Sequence, residues 1–460
     1  MKLSMLAEKN IGRLVGSDCE FEHINTDTRS IEKGDVFVAL KGERFDGHDM
    51  LRQATERGAC ALVVEHEVPL NVPQLVVDNT TVALGSISAQ YREQFSGKVL
   101  AITGSCGKTT VKGMLDAICN EAGACMSTRG NFNNHIGVPL TLARLNADFN
   151  FAVVEAGTSN PGEIAYLADL IQPDVAVVTN VMPAHIGGFG SLSAVAKEKA
   201  AIYGDEKSDA IAVVNLDDAN FSVLSANLTD RRVIGFTLND QGGFTETGIS
   251  EYVSLVRASA DELGCYAFVA KYRKNETDEK TISVSLPVIG MHNIANALAA
   301  ISAAVAVGIS FDHIKQGLEK FTGENGRMQV KRSFSGATVI DDSYNANPGS
   351  VKAAIDAMAG WKESILVCGD MAELGEDSQR LHKEVGEYAK SKKIKTVMTV
   401  GVESAALSSA FGEGVHFSNK AALEEALQPL INERSLVLIK GSRSAAMETI
   451  VHTLTELGGK

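Results

Sequence analysis

The sequence predicts an α/β protein whose sheets are mainly parallel and covered by helices on both faces. Three observations predict it. An apolar run, Val99-Leu100-Ala101-Ile102, leads through a glycine-rich turn into a helix-like stretch, Val111 to Asn120. From 97 to about 320, β-like runs alternate with helical ones, the pattern of strand–helix–strand units. From about 321 a second alternating block begins. At about 100–200 residues per domain, such a chain holds two to four domains. The expected boundaries are 1–80, 81–320 and 321–460.

In the first unit, Asp35 to Leu40, Ala61 to Val64 and Gln74 to Val77 read as strands, and His48 to Arg57 as a helix. A helix over 80–95 leads into the second unit. There, strands are expected at 99–103, 151–155, 175–179 and 210–215, with helices near 110–121, 162–171, 193–203 and 294–307. Residues 216–286 are less periodic and carry no chemical reading, although Thr281 to Leu286 alternates like a strand. In the third unit, Val339-Ile340, Ser364 to Cys368, Lys395 to Val400 and Leu436 to Lys440 read as strands. Helices such as 350–358 and 420–427 lie between them. No internal repeat or low-complexity tract interrupts this order.

Composition narrows the function classes. The 45% hydrophobic content supports large cores, and the net charge of −14 argues against nucleic acid as a partner. Seven cysteines, an odd number without zinc spacing, predict a reducing compartment. The first residues lack a signal-peptide core, and Ala295 to Ile309 falls short of the ~20 residues a membrane span needs. The expectation is a cytoplasmic protein without a membrane segment.

The strongest chemical signal is Thr103-Gly104-Ser105-Cys106-Gly107-Lys108-Thr109-Thr110. Strand, glycine loop, Lys-Thr, helix is the layout of a phosphate-gripping loop, with Ile102 where the general pattern has Gly. Backbone N–H groups and the helix N-terminus favour an oxyanion. Lys108 can reach the β- and γ-phosphates and the Thr109 hydroxyl can ligate Mg²⁺, so ATP or GTP is expected. Cys106 sits inside this loop. Lys108 and the helix N-terminus favour its thiolate, unless the side chain turns into the domain.

Other candidates leave two readings open. Glu155 ends a strand, where ligands of parallel sheets gather, and is placed either for Mg²⁺ or for a structural pair. His185 lies beyond the next strand and is either a metal ligand or a loop histidine. Lys199 shares a helical face with Tyr203, and the residues alone favour a solvated lysine. Asn293 and Asn296, one turn apart, can read adenine or cap a helix. Arg327 is a second cation for phosphate, and Asp341 to Pro348 offers acids and amides at a domain edge.

Taken together these residues resemble the Mur ligase family, ATP-dependent amide-forming enzymes of peptidoglycan synthesis, over nearly the whole chain. Glu155, His185, the Gly-x-His-Asn-x-x-Asn segment at 290–296 and Arg327 follow the phosphate loop in the family's order. Four segments narrow the branch: Thr26 to Ser30 with Phe45 to His48; Gly130 to Pro139; Asp341 to Pro348; and Lys440 to Glu448. They point to the branch that joins D-Ala-D-Ala to UDP-MurNAc-tripeptide through an acyl phosphate.

The resemblance implies a UDP-substrate-binding domain over 1–80, a central P-loop ATPase-like domain over 81–320 and a Rossmann-like domain over 321–460. It implies that Gly104, Ser105, Cys106, Gly107, Lys108, Thr109, Thr110, Asn293, Asn296, Arg327, Asp342 and Asn345 hold ATP. Thr109 and Glu155 would hold one Mg²⁺, and His185 with a carbamylated Lys199 a second. The family's lysine stands four residues before an aromatic, and the resemblance therefore selects Lys199 over Lys197. Lys108, Glu155, His185 and Lys199 would be catalytic. Thr28, Ser30, Asp46, Asn131, Asn133 and Asn134 would bind the UDP-linked substrate. The expected protein is a monomer. One departure is Ile186-Gly187-Gly188, where the family often has Glu after the histidine. The rival readings are a sibling adding the third peptide residue, folylpolyglutamate synthase, or a nucleotide switch that makes no bond. The siblings carry a His near the end of the segment that here reads Asp341 to Pro348.

Overall fold

The computed structural model describes all residues except 43–44, 183–188, 206–207, 240–247, 262–263, 276, 359 and 456–460. Three sheets follow one another along the chain, so the α/β expectation holds. The first contains β1 (Arg13–Val15), β2 (Ile24–Asn25), β3 (Val36–Val38), β4 (Ala61–Val64) and β5 (Gln74–Val76) in the order β1-β5-β4-β3-β2. Only β1 runs antiparallel to its neighbour. The helix expected over 48–57 begins as a 3-10 turn, Gly47–Met50, and continues as Leu51–Glu56. The Asp46 carboxylate accepts from the His48 N–H and tightens that first turn.

The central sheet has nine strands: β6 (Lys98–Thr103), β7 (Cys125–Ser127), β8 (Phe151–Glu155), β9 (Val175–Val178), β10 (Ile211–Asn215), β11 (Val233–Thr237), β12 (Tyr252–Ala260), β13 (Cys265–Arg273) and β14 (Glu279–Ile289). Their order is β14-β13-β12-β11-β10-β9-β6-β8-β7. Side chains alternate across a strand, and β6 shows the consequence. Leu100 and Ile102 pack into one core with Val111, Met114, Leu115 and Ile118 of the phosphate-loop helix, Lys108–Ala122. Val99 and Ala101 pack into a second core with helices Glu163–Ile171 and Leu192–Ala200. A strand buried on both faces reads as a continuous apolar run, which is how β6 reads in the sequence.

The alanine-rich stretch forms helix Met291–Ala306, buried in the first core. Among the described residues, no helix is long and apolar enough to cross a membrane. The stretch 216–286 supplies β11, β12, β13 and part of β14. The last three form an antiparallel apron on the parallel sheet. A buried Glu251 accepts from the Tyr272 hydroxyl at 2.6 Å and pairs with Arg232 at 2.6 Å, tying the apron to β11. Phe236 and Leu238 of this stretch also line a cavity between the second and third sheets.

The third sheet contains β15 (Gln329–Arg332), β16 (Thr338–Asp342), β17 (Glu363–Cys368), β18 (Thr396–Val400), β19 (Val415–Phe417) and β20 (Ser435–Lys440), ordered β15-β16-β20-β17-β18-β19. All pairs except β15–β16 are parallel. The carboxyl ends of β6, β16 and β20 face one cavity between the second and third sheets.

Candidate active site

The phosphate loop spans the gap between β6 and its helix. Gly107 begins that helix at φ +82°, and a Cβ there would lie 2.4 Å from Asn296 Oδ1. Only glycine fits so close to the amide in that backbone region. Lys108 Nζ folds across the loop and donates to the Gly104 carbonyl at 2.7 Å. Burial lowers the Lys108 pKa, the nearby Arg327 adds to that effect, and the Glu155 carboxylate opposes it.

The end of β9 braces the loop. Thr179 Oγ1 and Asn180 Nδ2 donate to the Cys106 carbonyl at 2.6 and 3.0 Å, and Asn180 Oδ1 accepts from the Cys106 N–H at 3.0 Å. Thr179 and Asn180 escaped sequence reasoning as site residues. The available signal was two polar residues directly after a parallel strand that neighbours β6.

The cavity of about 350 Å³ is lined by Ser105 to Thr110, by Asn293 and Asn296, and by Arg327, Asp342 and Asn345. All eleven belong to the twelve residues expected to hold the nucleotide. Gly104 stands just behind this lining, under the lysine. Asn293 and Asn296 bond each other at 3.0 Å, and Asn293 Nδ2 donates to the Ile289 carbonyl, so part of their amide capacity is internal. The Arg327 guanidinium lies 4.3 Å from the centre of the Tyr344 ring. Asp342 pairs with a buried Lys440 at 2.5 Å and accepts from the Met328 N–H at 3.2 Å. Lys440 also donates to the Asn345 carbonyl. Lys440 lines the cavity; the sequence placed it at the head of a segment that narrows the branch but gave it no role, because its partner is 98 positions away. Cys106 Sγ accepts from Asn347 Nδ2 at 3.3 Å, so the thiol faces the third sheet's unit.

Glu155, at the end of β8, is buried beside this cavity's charges. Its Oε1 accepts from Asn133 Nδ2 at 2.8 Å, while Oε2 is buried without a partner among the described residues. Thr109 is buried at the start of the phosphate-loop helix. Lys199 is 3% exposed, whereas Lys197 on the same helix is exposed. Burial, with Lys108 nearby, pushes the Lys199 pKa down to about 7, against the opposing charges of Cys106 and Glu198. The solvated-lysine reading therefore fails on burial. Its neighbour Glu198 caps the Glu163–Ile171 helix, accepting from Gly162 and Ile164 N–H groups. His185 lies outside the described residues.

The six residues expected to bind the UDP-linked substrate do not line this cavity. Thr28 Oγ1 donates to Gln53 Oε1, and Ser30 Oγ donates within its own turn to Asn25 and Asp27. Asp46 accepts from both the N–H and the ring of His48. Asn134 Oδ1 accepts from the Ile136 and Gly137 N–H groups, Asn133 holds Glu155, and Asn131 is exposed.

Among the described residues, no three His, Cys, Asp or Glu side chains gather as a metal cluster. A Mg²⁺ carried by nucleotide phosphates needs only one or two protein oxygens. The Thr109 hydroxyl and the unpartnered Glu155 oxygen suit that demand.

Three family profiles match the chain. The Mur ligase family catalytic domain covers 20–93, the Mur ligase middle domain 102–304, and the Mur ligase glutamate ligase domain 326–443. The UDP-N-acetylmuramoyl-tripeptide–D-alanyl-D-alanine ligase of Escherichia coli is 42% identical, over 99% of this chain and 98% of its own. The ligase of that name from Bacillus subtilis is 34% identical, over 94% and 93%. MurF from Acinetobacter baumannii has a similar structure, with TM-score 0.87, 31% identity and 98% of each chain covered. MurF ligase from Thermotoga maritima, solved with ADP, gives TM-score 0.81 at 27% identity, over 94% of this chain and 96% of that one. Matched along its length in sequence and in fold, this chain belongs to the Mur ligase family.

Proposed function

We propose that the protein is an ATP-dependent ligase that joins D-Ala-D-Ala to UDP-MurNAc-tripeptide, giving the pentapeptide precursor of peptidoglycan. The observation that carries this reading is the end-to-end 42% identity to a ligase of that name, together with a phosphate loop facing the third unit across one cavity. The UDP-linked substrate is assigned to 1–80 with the Asn131 to Asn134 loop, ATP to 81–320, and the closing surface to 321–460.

The chemical problem is an amide made from a carboxylate and an amine in water. A carboxylate is a poor electrophile, so its oxygen first takes the γ-phosphoryl group of ATP, and ADP leaves. The dipeptide amine then attacks the acyl carbon, and phosphate departs with the bond electrons. The first step brings anions together, so cations limit it. Lys108 sits at the loop, and Arg327 approaches from the linker to the third unit. Asn293 and Asn296 wall the adenine side, and Asp342 with Asn345 the ribose side. Mg²⁺, when bound, neutralises phosphate charge. Thr109 and Glu155 would hold one ion, and His185 with a carbamate on Lys199 a second. A buried lysine with a pKa of about 7 supplies the neutral amine that carbamate formation requires. We also assign the activity to a cytoplasmic monomer.

Mass detection of product from UDP-MurNAc-tripeptide, D-Ala-D-Ala and ATP tests the reading. The expected product is the UDP-linked pentapeptide, with phosphate release that requires the dipeptide. Dipeptide-independent phosphate release without product would replace the ligase with a nucleotide switch.

A further inference from the structure

The linker between the second and third units carries an arrangement that the reaction as described does not use. Helix Phe311–Lys320 packs on the phosphate-loop helix so closely that a Cβ on Gly317 would meet the Ile118 backbone at 2.4 Å. Lys320 then pairs with Glu121 at 2.7 Å. From there the chain turns back along the phosphate-loop helix toward the loop. Glu324 reaches Lys112 at 2.9 Å, and a Cβ on Gly113 would lie 2.4 Å from Glu324 Oε1. The Lys112 side chain is 9% exposed and that of Glu324 26%, so the ammonium is withdrawn from water while the carboxylate keeps part of its contact with it.

The other end of the linker belongs to the third unit. The Gly326 carbonyl accepts from the Tyr344 N–H at 3.0 Å, and Met328 is buried in the third unit's core. Gly326 and Met328 both take left-handed backbone, at φ +69° and +54°. Arg327 lies between them, its N–H donating to the Glu324 carbonyl at 3.0 Å and its side chain reaching the cavity. The arginine is thus three residues from a clasp on the helix that carries Lys108.

We propose that the Lys112–Glu324 pair is a positioning clasp that sets Arg327 against the phosphate loop and so couples the third unit's approach to phosphoryl transfer. The proposal rests on the reading of Arg327 as a phosphate-facing cation. Lys112 and Glu324 touch no reacting atom in it. A long flexible arginine on a free linker would sample many positions. One tied to the phosphate-loop helix three residues away is held in register with Lys108.

The test uses the full-length enzyme and four variants: Glu324→Gln, Arg327→Ala, both together, and Lys112→Met with Glu324→Leu. Glu324→Gln leaves a buried ammonium unpaired and is expected to lower Tm as well as activity. The apolar double variant removes both charges and is expected to fold normally. In it, kcat should fall about ten- to a hundredfold, as small misplacements of a catalytic group do, with the KM for ATP changed much less. In the Arg327→Ala background, Glu324→Gln should add less than about a twofold further loss, because residues acting as a unit are non-additive. Amide exchange of residues 324–328 should quicken in the apolar double variant. A folded apolar double variant with full kcat, or losses that multiply in the combined variant, would overturn the clasp. Full activity in Arg327→Ala would instead remove the phosphate reading of Arg327. Exchange at 324–328 then judges the clasp alone, and unchanged protection there rejects it.

Discussion

Lys108 and Lys199 are both lysines in which burial lowers the pKa, and they call for opposite tests. Lys108 donates to the Gly104 carbonyl and stands at the phosphate loop, so its role is to remain a cation. Lys108→Ala should lower kcat by about 10² or more, as loss of one transition-state donor does elsewhere, with a near-unchanged melting temperature. Near-normal turnover in a folded variant would remove the phosphate-loop assignment. Lys199, at a pKa of about 7, is read as the carrier of an anion. Its neutral amine is lost as pH falls through about 7, so activity in CO₂-depleted buffer should drop on that side and recover with bicarbonate. The sign for stability follows. The unfolded lysine, with a pKa of about 10.4, binds more protons than the folded one between these values. Stability should therefore rise with pH across that window, and Lys199→Met should flatten the slope in urea titrations. Lys199→Ala should be inactive and partly rescued by acetate, whereas a fully active Lys199→Arg would end the carbamate idea. At this scale residue type and flanking elements pointed to Lys108, whereas Arg327 and Asp342 were named for the nucleotide only through the family resemblance; the three line one cavity. The sequence hid the roles of Lys440, Thr179 and Asn180, which exist only once distant segments meet. For Lys199 the residues alone favoured solvent; the family's spacing to an aromatic picked it over Lys197, and packing separates the two by burial.

The phosphate loop works because two elements meet at it: the strand that ends in Thr103 and the helix that begins after Gly107. Gly107→Ala should destabilise the protein by about 1–3 kcal/mol, the usual cost of a forced left-handed residue. It should also weaken ATP, since the new Cβ presses on Asn296. Urea unfolding and ATP titration check the two effects, and an unchanged midpoint with normal ATP affinity would mean the loop relaxes freely. The parallel core of the central sheet was readable, since a strand buried on both faces must be apolar throughout, as Val99 to Ile102 is. Of the apron, only the alternation of Thr281 to Leu286 in β14 was readable, and β12 and β13 were not. Its strands bury one face each, its register includes shifts at Leu255/Arg257 and Cys265/Tyr266, and Glu251 is buried only because Arg232 and Tyr272 meet it. The turn at 47–50 was missed for a local reason: Asp46 bonds its own backbone two residues on, which a periodicity reading passes over.

Across the whole molecule, the nucleotide cavity has walls from two units, and Cys106 touches both. It belongs to the phosphate loop, and its sulfur accepts from Asn347 of the third unit. A bulky group on this thiol would occupy the cavity and hold the two walls apart. The competing thiols are poor nucleophiles for stated reasons. Burial and the neighbouring Cys19 push Cys60 up to about 12, and burial pushes Cys368 up to about 12. Cys119 is fully buried, its contact and burial push Cys125 well above the usual thiol range, and burial raises Cys265. N-Ethylmaleimide should therefore inactivate the enzyme with about one label per chain, Mg-ATP should protect, and Cys106→Ser should be active and resistant. Cys19, half-buried in the first unit, is the control, because label there leaves the cavity open. Peptide mapping after partial inactivation decides between them. Label on Cys19 that tracks the lost activity, or inactivation indifferent to nucleotide, would show that the thiol facing Asn347 does not govern the approach of the third unit.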